Sequence, residues 1–238
     1  MDAYHLSQRL LLVAAEVFPG AFLADIGSDH AYLPANLALK HQIRRAIAGE
    51  VAWGPYQNAA TEIQKLRLTE KIKVRHADGL AALNADEVVD VITICGMGGA
   101  LIAQILTVGW DKLQHFPHLP RLILQPNVGE KIVRSWLQQH HYQITAEKIL
   151  KEDGHIYEII TADPAGGKVQ PLNQEQLLFG PILLAEKNAI FQEKWQLEIT
   201  KLRKVLQQLQ CAKKEPVAKE QQIKQRIKMI EGVVNDKS

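Results

Sequence analysis

Over its first 165 residues the chain alternates between two textures. Short β-rich apolar runs occupy 22–27, 45–51, 72–78, 88–96 and 119–127. Between them, stretches such as 56–68, 99–106 and 129–140 repeat their apolar residues at helical spacing. A strand that reads as a continuous apolar run needs cover on both faces, and alternating helices supply it. The texture therefore predicts an α/β domain with a parallel sheet between helical layers. The alternation then stops. Two strand-like runs, 142–150 and 157–162, follow each other with only Lys151-Glu152-Asp153-Gly154 between them. Asp-Gly favours a tight turn because glycine tolerates positive φ, so the sheet is predicted to end in an antiparallel hairpin.

Residues 163–172 contain two prolines and two glycines and mark a boundary. The reading is a domain at 1–165 and a helical arm at 166–238. In the arm, Phe191, Trp195, Ile199, Leu202, Leu206 and Leu209 form a stripe spaced 4, 4, 3, 4, 3. Ile223, Ile227, Ile230 and Val234 form a second, with Pro216 placed to open its helix. Two such stripes separated by a short break predict a coiled-coil-like helical hairpin. The stripes read as core, so a monomer is expected.

Charge separates the two parts. Residues 1–170 carry 16 Lys and Arg against 18 Asp and Glu, whereas 171–238 carry 12 against 8. A basic tail on a near-neutral body suits a polyanionic partner, although a solvated helix face is also lysine-rich. The two cysteines, Cys95 and Cys211, form no C-x-x-C pair, so neither a disulfide framework nor a metal site is expected. The start of the chain lacks a basic leader, and no run reaches 18 apolar residues. A cytoplasmic protein without a membrane segment is the expectation.

The sharpest motif is Ala24-Asp25-Ile26-Gly27-Ser28-Asp29-His30-Ala31-Tyr32-Leu33, a strand running through a glycine loop into a helix. A nucleotide meets a parallel sheet at such a turn. The dinucleotide fingerprint G-x-G-x-x-G is absent, because Asp29 and Tyr32 stand at its second and third glycine positions. A carboxylate there opposes a pyrophosphate, and the lysine of a phosphate-binding loop is missing too. A ligand with cationic centres fits better, and S-adenosylmethionine has two: a sulfonium and an ammonium. Glu50, 23 positions beyond Gly27, has two acceptor oxygens for two ribose hydroxyls. Asp78 can accept an adenine amino group, and Gly96-Met97-Gly98-Gly99 puts glycine-rich backbone at the end of the fourth run. Any one acid after a strand also serves as a helix N-cap, but several at successive strand ends point to a shared ligand.

The segments ADIGSDHAYLP (24–34), AIAGEV (46–51), GPYQNA (54–59), ICGMGG (94–99), LQPN (124–127) and EDGHIYEI (152–159) together resemble the TrmK family, over roughly residues 5–235. These are bacterial tRNA (adenine-N1)-methyltransferases acting on adenosine 22. The resemblance implies a Rossmann-like class I methyltransferase domain, S-adenosylmethionine as methyl donor, tRNA as substrate and a coiled-coil-like C-terminal domain. Carried over by motif, Asp25, Gly27, Ser28, Asp29, Glu50, Asp78 and Gly96 become cofactor positions, with Ile26, Val51, Gly79 and Met97 beside them. His155 departs from the lysine common in the family after the EDG turn.

An N1 target agrees with the residues. Adenine N1 has a free in-plane lone pair and needs positioning more than deprotonation. Enzymes that methylate the exocyclic amine commonly carry an Asn/Asp-Pro-Pro-aromatic loop where this chain has Gly-Met-Gly-Gly. The acceptor base must leave its stack, and His30, Tyr32, Gln125, Pro126 and Asn127 are the candidates for its pocket. Asp29 is the candidate catalytic residue, and it reads equally as a cofactor ligand. Lys201, Arg203, Lys204, Lys213 and Lys214 are the candidates for gripping tRNA phosphates. Other readings remain open: a methyltransferase acting on another RNA or on protein, a non-catalytic RNA-binding module, and a nicotinamide-dependent oxidoreductase.

Overall fold

The computed structural model describes residues 1–167, 170–210 and 217–235. It divides into two compact units, Met1–Leu172 and Asn173–Ser238. Pro216, Lys213 and Lys214 lie outside the described residues.

In the first unit, helix α1 (Gln8–Glu16) precedes strand β1 (Ala21–Ile26), α2 (Tyr32–Leu39), β2 (Ile43–Glu50), α3 (Trp53–Lys65) and β3 (Ile72–His76). A 3-10 turn (Gly79–Ala82) leads to β4 (Val91–Gly98), α4 (Gly99–Gln114), β5 (Arg121–Val128), α5 (Glu130–Gln139), β6 (Tyr142–Glu152) and β7 (His155–Pro164). The sheet order is β3-β2-β1-β4-β5-β7-β6. Strands β1 to β5 pair in parallel, and β7 runs antiparallel to both β5 and β6. One apolar cluster, with Leu23, Leu37 and Ile63, and another, with Ile26, Ile92 and Leu137, form the core. The predicted hairpin turn is there. Asp153 and Gly154 have φ of +49° and +76°, and Glu152 pairs with His155, which is the two-residue turn that matches strand twist.

One expected unit differs. The third crossover holds no α-helix, only the four-residue 3-10 turn. Lys112 of α4 donates to the Leu80 and Leu83 carbonyls (2.8 and 2.6 Å), satisfying acceptors that a longer helix would have used. Helix α4 comes so close that a Cβ on Gly109 would lie 2.4 Å from Leu80.

The second unit contains α6 (Gln174–Phe179), α7 (Pro181–Glu186), α8 (Ala189–Gln210) and α9 (Val217–Asn235). Asn173 and Gln176 form a reciprocal capping box at the start of α6. Phe179, Phe191 and Trp195 knot together, with the Phe179 and Trp195 rings 4.5 Å apart. Of the expected stripes, Phe191, Trp195, Ile199, Ile227 and Ile230 are buried. On α9 the next buried position is Val233, with Val234 half-exposed, because three residues bring the face round as nearly as four. Arg203–Glu231 (2.7 Å) and Arg226–Glu198 (2.9 Å) join α8 to α9.

Candidate active site

Strand order reverses at β1 and β4, and the crevice beyond their carboxyl ends is where an open α/β sheet binds ligands. Register brings the motifs together there. Ile26 pairs with Gly49 on one side and with Ile94 on the other. The residues that follow, Gly27, Glu50 and Cys95, therefore emerge side by side around a cleft of about 430 Å³. Asp25, Ser28, Asp29, Val51, Gly96, Met97 and Asn127 also line it.

Asp25 is 3 % exposed. Its two oxygens accept from the Ser28 hydroxyl (2.5 Å) and the Thr93 hydroxyl (2.6 Å). Burial pushes its carboxyl above the usual range, and the two hydroxyls draw it part of the way back. Glu50 is also buried and accepts from the Asp29 backbone N–H. Burial raises its carboxyl too, that hydrogen bond opposes the rise, and the charges of Asp25 and Asp29 add to it.

The loop itself is strained. Gly27 has φ +68°, and a Cβ there would sit 2.0 Å from the Met97 methyl. Asp29, His30 and Ala31 follow with φ of +39°, +62° and +56°, three consecutive non-glycine residues in the left-handed region. Such strain persists only where surroundings hold it. The Asp29 N–H is anchored on Glu50, and His30 stacks on Tyr32 at 5.2 Å. The Asp29 carboxylate is left 74 % exposed, 3.6 Å from His30 Nε2.

Several candidates stand elsewhere. Ile26 points into the core, and Asp78 and Gly79 lie outside the residues lining the cleft. Asp78 is exposed and makes no cap bond to its 3-10 turn, so its carboxylate is not used as an N-cap. His30 and Tyr32 do not line the cleft. Gln125 and Pro126 are buried, and Gln125 is engaged internally. Its Oε1 accepts from Gly96 N (3.0 Å) and Arg9, and its Nε2 donates to Asn127 Oδ1 (3.2 Å). Lys201 and Lys204 are exposed on α8, and Arg203 is tied to Glu231.

Sequence reasoning missed Arg9, Cys95 and Tyr157, all of which line the cleft. Arg9 had a signal, being the one charge within Leu6–Ala15, and Tyr157 lay inside the EDGHIYEI motif. Burial, reinforced by the charge of Asp25, pushes the Cys95 thiol up, so it stays protonated. Among the described residues no cluster of His, Cys, Asp or Glu could hold a metal ion, and no helix is long and apolar enough to cross a membrane.

The parallel sheet closed by an antiparallel hairpin, with an acid-lined crevice at its switch point and no phosphate-binding glycines, defines a Rossmann-like methyltransferase. The profile of the family described as tRNA (adenine(22)-N(1))-methyltransferase, TrmK, matches residues 23–232, and the chain belongs to this family. The tRNA (adenine(22)-N(1))-methyltransferase of Bacillus subtilis (strain 168) is 43 % identical over 232 residues, covering 96 % of this chain and 93 % of that one. The crystal structure of the B. subtilis m1A22 tRNA methyltransferase TrmK matches with a TM-score of 0.88 at 40 % identity, covering 97 % and 99 % of the two chains. M. capricolum TrmK, solved with S-adenosyl-homocysteine, matches at 0.85 and 29 % identity, covering 97 % and 98 %.

Proposed function

We propose that this chain transfers a methyl group from S-adenosylmethionine to N1 of adenosine 22 in tRNA, as a cytoplasmic monomer whose C-terminal arm grips the tRNA backbone. The observation that carries this is the acid-lined cleft in a member of the TrmK family. Asp25, Asp29 and Glu50 converge where a dinucleotide enzyme would bring glycine backbone to phosphate. That set of carboxylate acceptors suits a cofactor with cationic groups and a ribose, and no phosphate.

Bound there, S-adenosylmethionine supplies an activated methyl: the N1 lone pair forms the new N–C bond as the carbon–sulfur bond breaks, its electron pair leaves with sulfur, and the ring gains a positive charge. The protein's part is binding and placement. Glu50 takes the ribose hydroxyls, with Val51 beside it. Asp78 and Gly79, outside the cleft lining but just beyond the end of the neighbouring strand β3, take an adenine edge that extends past Glu50. Asp25, through Ser28 and Thr93, holds the loop from Ile26 onward in shape. Gly96 and Met97 flank the methyl-donor end. Asp29, exposed at the rim, is the catalytic carboxylate and faces the charge that develops on the ring. Asn127 reads the acceptor base, with Gln125 and Pro126 behind it and His30 and Tyr32 near the entrance. Lys201, Arg203 and Lys204 on α8, with Lys213 and Lys214 further along the chain, are the residues assigned to the tRNA phosphates.

The test is methyl transfer from labelled S-adenosylmethionine to unmodified tRNA, followed by nuclease digestion. The expected product is N1-methyladenosine at position 22. Label elsewhere in the tRNA would overturn the site assignment. Folded protein that neither binds the cofactor nor transfers label would overturn the reading as a whole.

A further inference from the structure

Arg9 is held from three sides. The Glu152 carboxylate accepts from the backbone N–H groups of Gln8 (2.6 Å) and Arg9 (3.3 Å). The guanidinium lies 5.4 Å from the centre of the Tyr157 ring, and Nη1 donates to Gln125 Oε1. Glu152 and Tyr157 both belong to the hairpin motif EDGHIYEI, which otherwise has no part in the chemistry. Together they aim Arg9 at the ends of β4 and β5.

The consequence runs along a chain of amides. Arginine only donates, and so does the Gly96 N–H, which also reaches Gln125 Oε1 (3.0 Å). Gln125 must therefore turn its oxygen toward both and its nitrogen away. That nitrogen donates to Asn127 Oδ1 (3.2 Å), so Asn127 must in turn point Nδ2 at the Gly96 carbonyl (2.8 Å). The Arg9 and Gly96 donors thus set the Gln125 amide, and Gln125 together with the Gly96 carbonyl sets Asn127, orientations that atom positions alone leave open. Gln125 is fully buried, so its amide is shielded from water that could relax this order. Asn127 is exposed in the cleft, with a second lone pair on Oδ1 available.

Adenine carries an amino group beside N1. With N1 facing the methyl donor, the amino group needs an acceptor, and of the two orientations of Asn127 only this one supplies it. Methylation at N1 puts positive charge on the ring and makes the amino group a stronger donor. The bond to Asn127 then strengthens as the reaction proceeds, which favours catalysis over mere binding. We propose that Arg9, aimed by Glu152 and Tyr157, is a positioning residue that locks Asn127 through Gln125 with its carbonyl toward the amino group of the acceptor adenine. This rests on the adenine-N1 reading above.

The experiment compares kcat and KM for tRNA carrying adenosine or purine ribonucleoside, which lacks the amino group, at position 22. Wild type, Arg9→Ala, Arg9→Lys and Gln125→Glu are assayed, and S-adenosylhomocysteine affinity is measured by calorimetry. Wild type should favour adenosine by about 10- to 100-fold, the range set by one unmet hydrogen bond. Arg9→Ala leaves the Gly96 N–H as the remaining donor to Gln125, so it should lower that preference several-fold rather than abolish it, through kcat, with cofactor-product affinity little changed. Arg9→Lys, which can still donate, should regain part of the preference. Gln125→Glu keeps an acceptor for Arg9 and Gly96 but removes the donor to Asn127, so it should lose the preference in a fold that retains the Arg9 contact. Preference kept unchanged in Arg9→Ala would overturn the role of Arg9, and preference kept in Gln125→Glu would overturn the relay through Gln125. So would an affinity loss for S-adenosylhomocysteine in Arg9→Ala that equals its loss in kcat/KM, which would make Arg9 a cofactor ligand. Wild type that methylates neither tRNA would bring down the adenine-N1 reading itself.

Discussion

Asp25 holds a carboxylate almost wholly shielded from water, and its two hydroxyl partners only partly offset the burial. A carboxyl raised in the folded state binds protons more tightly folded than unfolded. Its stabilising share is complete below the unfolded value and is lost as pH rises through the folded one. Asp25→Asn should therefore melt above wild type at neutral pH, with the advantage fading below about pH 4. A thermal melt series across pH checks this, and a variant less stable than wild type at neutral pH would refute it. Methyl transfer should fall in the same variant, because its amide cannot accept from both Ser28 and Thr93 as the carboxylate does. Asp29 presents the opposite case. Its carboxylate is exposed, so Asp29→Ala should cost only about 1 kcal/mol of stability, from placing alanine at a positive φ, while lowering kcat by on the order of 100-fold. Filter binding of tRNA should change little, and near-normal turnover would remove Asp29 from the catalytic role.

At the level of elements, the arm depends on packing more than on its visible ion pairs. Arg203–Glu231 and Arg226–Glu198 are surface pairs, each contributing about 0–1 kcal/mol. Ile230 is fully buried, and its replacement by alanine should cost about 2–5 kcal/mol. Ile230→Ala is thus expected to melt the arm at lower temperature, whereas Arg226→Ala shifts it slightly. Calorimetry should find S-adenosylhomocysteine affinity unchanged in both, since neither residue belongs to the cleft. Comparable destabilisation by the two variants would contradict this ranking.

For the whole molecule, the two compact units set the expectation for truncation. Residues 1–172 contain every residue that lines the cleft and should retain cofactor binding. The lost arm carries the excess of positive charge. Affinity of the shortened chain for tRNA should fall, and its dependence on salt should become shallower because fewer counterions are released. An unchanged salt slope would place the phosphate contacts on the body instead.

Local pattern was enough to make much of this architecture legible. Strand texture, the Asp153-Gly154 turn and the Gly27 loop each depend on backbone preferences over a few neighbouring residues. The acids at strand ends were legible because a parallel sheet delivers successive strand ends to one edge. Other features needed distant segments to meet. Arg9 lies more than a hundred residues along the chain from both Gln125 and Glu152, and no spacing rule joins them. Whether Asp78 capped a helix, whether Gln125 faced a ligand or the interior, and whether the third crossover was helical all turned on which neighbours were already satisfied. By itself the sequence determined the elements, their order and the acids available to a cofactor. Tertiary structure alone decided which polar atoms remain free to do chemistry, because hydrogen-bond capacity is settled by whatever packing brings within about 3 Å.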